Sequence, residues 1–147
     1  MYMHDMASYQ DVIESCACHK VRMAARAVTR AYDDALRPVG LRATQLAVLV
    51  AIAVEGAMSI TALAKFMIMD RSTLTRNLRP LEGEGLVAVG LEGWRRSRTI
   101  EVTEKGRLRL AEALPLWKQA QETLRRKLGE QNWINIHNDL DRLIRAA

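Results

Sequence analysis

The amino-acid sequence predicts a mainly α-helical fold with one small β-hairpin, organised around the stretch from Ser59 to Val102. Three observations lead there. Apolar residues recur at intervals of three and four along most of the chain, the period of amphipathic helices. The period changes to two only around Leu86-Val87-Ala88-Val89 and Arg98-Thr99-Ile100-Glu101-Val102, with Gly90 and Gly93 between them. Residues 65–109 carry ten Lys/Arg against six Asp/Glu, whereas residues 1–64 carry six of each.

At 147 residues the chain is expected to form one domain with a real core, and 49% hydrophobic with 27% charged residues is a globular composition. No window approaches the roughly 18 uninterrupted apolar residues of a membrane span. The start MYMHDMASYQ has neither a basic leader nor an apolar export segment, so a cytoplasmic location without a membrane partner is expected. Net charge is +5, and most of the excess lies between residues 65 and 109. Such a cluster is either a solvated face or a phosphate-binding one. There is no HExxH zinc site, GxSxG elbow or Gly-rich phosphate loop, and the three histidines, His4, His19 and His137, are scattered. An enzyme is not expected.

The first helix is expected over Asp11–Leu36, with Val12, Ile13, Cys16, Val21, Ala24, Ala25, Val28, Tyr32, Ala35 and Leu36 at helical spacing; Pro38 and Gly40 end it. A second runs from about Ala43 to Val54, with Leu46, Leu49, Val50 and Ala53 inward and Gly56 as its stop. Ser59 caps a third, which buries Ile60, Leu63, Ala64 and Met67. Asp70 caps a fourth, Arg71 to about Gly83, with Leu74, Leu78 and Leu81 on one side and Arg71, Ser72, Thr75, Arg76 and Arg79 on the other. A helix entering a major groove needs that segregation: leucines anchor it while its polar N-terminal half meets base edges. The bland alternative is an ordinary amphipathic surface helix. Pro80 loosens only the last turn, because it removes the bond back to Arg76.

The hairpin that follows carries Trp94-Arg95-Arg96-Ser97-Arg98 at its tip. Three arginines have no structural use there, and guanidinium groups fit the narrow, electronegative minor groove. Helix, turn, helix and Arg-tipped hairpin together form a winged helix-turn-helix over residues 43–102. From Thr103 a long helix runs to about Leu128, where Pro115 is expected to kink it and Gly129 to stop it. Its apolar side is Leu108, Ala111, Trp117, Ala120, Leu124 and Leu128; a final helix presents Trp133, Ile136, Leu140, Leu143 and Ile144. One small domain hardly needs amphipathic helices at both ends. Residues 11–37 and 104–147 are therefore expected to be dimerisation helices, Val12–Val28 and Trp133–Ile144 forming the contact, with intrachain core as the alternative.

Cys16-Ala17-Cys18-His19 is the one further chemical candidate. On an intact helix, residues two apart differ by about 200°, so Cys16 and Cys18 cannot chelate one ion together. Cys16 with His19 can, if a second chain or another helix completes the shell. Cys18 stands four residues before Arg22, a spacing that suits a redox sensor. Both thiols are otherwise small core residues. No cofactor is required; an effector ligand, or a metal or metalloid at Cys16/Cys18, is the candidate signal.

The order of these pieces resembles the MarR family of bacterial transcriptional regulators over essentially the whole chain. The carrying residues are Val39-Gly40-Leu41-Arg42-Ala43-Thr44-Gln45-Leu46, Leu63-Ala64, Asp70-Arg71-Ser72-Thr73-Leu74-Thr75-Arg76, Leu81-Glu82 through Gly85-Leu86-Val87, the Arg-rich loop and Thr103-Glu104-Lys105-Gly106-Arg107. The resemblance implies a homodimer on pseudo-palindromic double-stranded DNA, usually a repressor released by a small-molecule effector or by thiol chemistry. It implies that Arg71, Ser72, Thr75 and Arg76 face bases, Thr73 faces phosphate, and Arg96, flanked by Arg95 and Arg98, enters the minor groove. Three positions depart from the family pattern. Trp94 replaces an acidic residue in the wing. Ile68 stands where Gly is frequent, and since positive φ is costly for a β-branched residue the turn is expected to be built differently. Arg42 replaces a capping Thr, so the cap is expected to shift to Thr44 or to be absent. The alternative from another class is a winged-helix dimer that binds proteins without touching DNA.

Overall fold

The computed structural model describes residues 3–90 and 98–147, with side chains from Ser8 onward. The element order is α1 (Met3–Ser15), α2 (Ala17–Leu36), a 3-10 turn (Arg37–Val39), α3 (Ala43–Glu55), β1 (Met58–Ser59), α4 (Ile60–Phe66), α5 (Arg71–Gly83), β2 (Val87–Val89), β3 (Thr99–Val102), α6 (Glu104–Leu128) and α7 (Glu130–Ala146). A mainly helical chain with a small antiparallel sheet is what the patterning predicts. The sheet has three strands rather than the two of a bare hairpin, in the order β1-β3-β2, with Met58 opposite Ile100 and Val87 opposite Val102. The two-residue β1 is too short to leave a period in the sequence.

The core lies almost wholly between Leu41 and Val102. Leu49, Ile52, Leu63, Leu74, Leu81, Leu86 and Ile100 are fully buried there, and among the described residues Leu36 of α2 and Ala113 of α6 are the buried apolar side chains that join them from outside. Each such side chain contributes roughly 1.5–3 kcal/mol by leaving water. In α3 the expected inward set is partly corrected: Leu46 and Leu49 are buried, but Val48 and Ile52 take the place of Val50, which is 43% exposed. The run from Leu46 to Val54 is apolar all round, so its period cannot name a face.

Two further expectations change. The first helix is not continuous: Cys16 adopts an extended conformation (φ −67°, ψ 113°) and separates α1 from α2. At α3 neither Thr44 nor an empty cap is found. Gln45 Oε1 accepts the Arg42 N–H at 2.9 Å, and Asp33 Oδ1 on α2 accepts the Ala43 N–H at 2.7 Å. As expected, α6 runs as one long helix from Glu104 to Leu128, with Pro115 inside it.

The turn between α4 and α5 keeps the left-handed geometry despite its β-branched residue: Ile68 has φ 53°. The hydrogen bonds explain why. Met69 N–H reaches Ala64 O at 2.9 Å and Ile68 N–H reaches Lys65 O at 3.2 Å, the paired bonds that close a helix through a left-handed residue. The same pair ends α5, with Leu86 N–H on Leu81 O and Gly85 N–H on Glu82 O, and there the left-handed residue is a glycine. Ile68 is 76% exposed, so its side chain returns little burial against the strain. Ile68→Gly is therefore expected to raise unfolding free energy by about 1 kcal/mol. Denaturant titration checks this; an unchanged or lower midpoint would mean that the turn carries no strain.

Candidate nucleic-acid interface

The N-terminal half of α5 presents the polar face expected of it. Leu74, Leu78 and Leu81 are buried, while Arg71, Ser72, Thr75, Arg76 and Arg79 are exposed and Thr73 is half-buried. Asp70 holds the N-cap position, but its carboxylate accepts no capping hydrogen bond. Thr75 Oγ1 donates to Arg71 O at 2.7 Å, and the residue is exposed. Arg76 Nη2 reaches Thr73 Oγ1 at 3.4 Å, so one hydroxyl steadies one of the three arginines on this face. Positively charged donors, a hydroxyl acceptor and a methyl group on one helical face can address the varied edges of a major groove.

The base of the hairpin is docked beside this unit. Ile60 N–H donates to the carbonyl of Arg98 at 3.1 Å, and β3 pairs with β1 at the entrance to α4. Arg98 is exposed. The expectations for Trp94, Arg95 and Arg96 fall outside the described residues.

The first two turns of α6 grip the segment that leaves α5. Thr103 Oγ1 accepts the Gly106 N–H at 3.0 Å and donates to Gly85 O at 2.6 Å. Lys105 Nζ donates to Glu84 O at 2.7 Å, and Arg109 Nη1 reaches both Glu84 Oε2 at 3.2 Å and Val39 O at 3.0 Å. Gly106 lies so close to Leu86 that a Cβ would sit 2.1 Å from its carbonyl oxygen. Arg109 was not singled out by sequence; its partners lie 25 and 70 residues away, beyond any local pattern.

Between α2, α3 and α6 lies an open hollow of about 470 Å³, with Tyr32, Leu46, Val50, Leu110, Leu114 and Trp117 among its walls. Burial raises the Tyr32 pKa above its ordinary value, so the hydroxyl stays neutral. The periodicity places several of these residues on apolar faces but cannot show that the faces stand apart. Cys16 is half-buried at the α1–α2 break, and Cys18 is exposed in the first turn of α2. The premise of an intact helix through Cys16 and Cys18 thus fails. Among the described residues no three His, Cys, Asp or Glu side chains converge for a metal.

A helix-turn-helix whose second helix exposes a cationic face, with a hairpin on its flank, is the architecture of a winged-helix transcriptional regulator that binds DNA. The MarR family model matches residues 41–89. The chain is 39% identical to the transcriptional regulator MosR of M. tuberculosis, solved in complex with DNA, over 90% of this chain and 96% of that one, with a TM-score of 0.81. The structure of MosR alone matches at 38% identity over 91% and 96%, with a TM-score of 0.79. At 20% identity, a cysteine-to-serine mutant of MarR from E. coli, complexed with operator DNA, shares the fold, with a TM-score of 0.79 over 90% and 96%. No curated protein sequence matches the chain. The chain belongs to the MarR family.

Arg76→Ala is expected to weaken binding to a selected DNA site by about 1–3 kcal/mol and to broaden base preference at one position of each half-site. Lys118→Ala on α6 serves as the control. Fluorescence anisotropy across a panel of singly substituted sites reads both effects; equal losses for the two variants would remove Arg76 from the reading surface.

Proposed function

We propose that this protein is a homodimeric, cytoplasmic repressor that holds pseudo-palindromic double-stranded DNA and lets go when a small molecule enters the hollow between α2, α3 and α6. Residues 43–102 form the reading head, and residues 11–37 and 104–147 the dimerisation helices. Arg71, Ser72, Thr75 and Arg76 meet bases, Thr73 meets phosphate, and Arg95, Arg96 and Arg98 serve the minor groove. No catalytic step belongs to this reading.

The observation that carries it is the pairing of a charged reading face with apolar faces that their own chain leaves open. No residue of α7 is buried, and Ile134, Ile136, Leu140, Leu143 and Ile144 are exposed to 39% or more. Tyr9, Val12 and Ile13 of α1 are more than half exposed. A second copy covers such faces and sets the two reading helices about one DNA turn apart, roughly 34 Å. A molecule wedged between α3 and the dimer helices alters that separation, and binding to both half-sites then fails. The DNA-bound state of MosR supports the same use of the fold.

Thiol chemistry at Cys16 and Cys18 is a second input. At the extended Cys16 the two side chains are freed from the opposition that a continuous helix imposes. Hydrogen peroxide, taking two electrons and two protons from the pair, becomes two waters and leaves a disulfide, and the bridge constrains the junction between two dimer helices.

Genome-wide footprinting of the purified protein, with and without peroxide, tests the reading. Discrete pseudo-palindromic footprints that weaken steeply with salt are expected, because phosphate contacts release counterions. Peroxide is expected to erase the footprints of the wild type and to spare those of Cys16→Ser and Cys18→Ser. Absence of salt-sensitive footprints would favour a winged-helix module for protein partners; equal release in the thiol variants would end the role of the cysteines.

A further inference from the structure

Arg109 joins three segments that are far apart in the chain. It projects from α6, and its Nη1 donates to the carbonyl of Val39 at 3.0 Å and to Glu84 Oε2 at 3.2 Å. Val39 closes the 3-10 turn that follows α2, and Glu84 is the C-cap of the reading helix α5. The guanidinium lies against Gly40, where an added Cβ would stand 3.7 Å from Nη1. Only 22% of the Arg109 side chain is exposed, so water and salt screen its pair with Glu84 less than the pair of Arg142 with Asp139, whose side chains are 76% and 69% exposed.

The neighbouring bonds have a narrower reach. Thr103 and Lys105 hold the carbonyls of Gly85 and Glu84 at the start of α6, so they tie the exit of the reading helix to α6 alone. Attachments that lie close together at one helix end let the attached body rock about them. Arg109 stands one turn further along α6 and adds the tail of α2, which opposes that motion. We infer that Arg109 is a positioning residue for DNA recognition: it fixes the angle of α5 against α2 and α6, and through that angle sets the half-site spacing that the dimer accepts. The inference rests on the homodimer proposed above, in which α2 and α6 belong to the dimer scaffold. One added base pair moves a half-site by about 3.4 Å and turns it by about 35°. A firmly held head therefore meets one spacing, and a rocking head meets several.

Fluorescence anisotropy of the full chain on DNA selected from a random library by the wild type tests this. The duplexes carry either one half-site, or two whose separation is changed by one or two base pairs in each direction. The wild type is expected to prefer one spacing over its neighbours by at least about tenfold, and Arg109→Met to reduce that preference below about threefold while single half-site affinity stays within about twofold. Glu84→Ala removes one of the two acceptors from an exposed side chain and repeats the broadening should Arg109→Met fail to fold. Val48→Ala, which loses packing in the core of α3, is expected to keep the wild-type spacing profile. A wild-type profile in a folded Arg109 or Glu84 variant, an equal loss at every spacing and on the single half-site, or the same broadening in Val48→Ala would overturn the inference and leave the dimer standing. A wild type indifferent to spacing would refute the dimeric reading, and the inference with it.

Discussion

The first turns of α6 lie against the backbone of Leu86 with no room for a side chain at Gly106, and the orientation of the reading head follows from that contact. A Cβ at this position would stand 2.1 Å from a carbonyl oxygen, so the approach is possible only for glycine. Around it, Thr103 holds Gly85, Lys105 holds Glu84, and Arg109 holds both Glu84 and the carbonyl of Val39. The end of the reading helix, the end of α2 and the start of α6 are thereby joined at one corner. The opposite side of the head borders the open hollow between α2, α3 and α6, where the Asp33 carboxylate ties α3 to α2.

That arrangement divides the chain into a part with its own core and a part without one. The buried leucines and valines belong almost entirely to the segment from Leu41 to Val102, whereas α1, α7 and most of α2 present apolar side chains to solvent. Exposed apolar faces on three long helices are costly for a free monomer and ordinary for half of a dimer. The proposed dimer thus completes the packing and spaces the heads at once. A signal that alters how α2 and α6 meet α3 needs no contact with DNA to change the fit to two half-sites.

Much of this was legible in sequence because it is written in local chemistry. Helical spacing, the stop at Pro38 and Gly40, the Ser59 cap and the change of period after Gly85 place the elements within a few residues. The polar face of α5 is equally plain, since it lies opposite three leucines at fixed intervals. What was not legible depends on distant partners. The Asp33 carboxylate caps α3 from another helix, and Arg109 joins segments far apart in the chain. The break at Cys16 carries no Pro or Gly to announce it. At Ile68 the local rule pointed the wrong way, because two closing hydrogen bonds and the burial of the neighbouring leucines outweigh the strain of one left-handed residue. The uniformly apolar α3 hid which of its sides faces the core and which lines the hollow.

Sedimentation equilibrium of the purified protein at micromolar concentration tests most directly whether a second copy covers α1, α2 and α7. A single species of twice 16.6 kDa is the expected result, shifting toward monomer when Leu140 and Leu143 are both replaced by Glu. A stable wild-type species of 16.6 kDa would contradict the account, because the open faces and the spacing of the reading helices would then have another explanation.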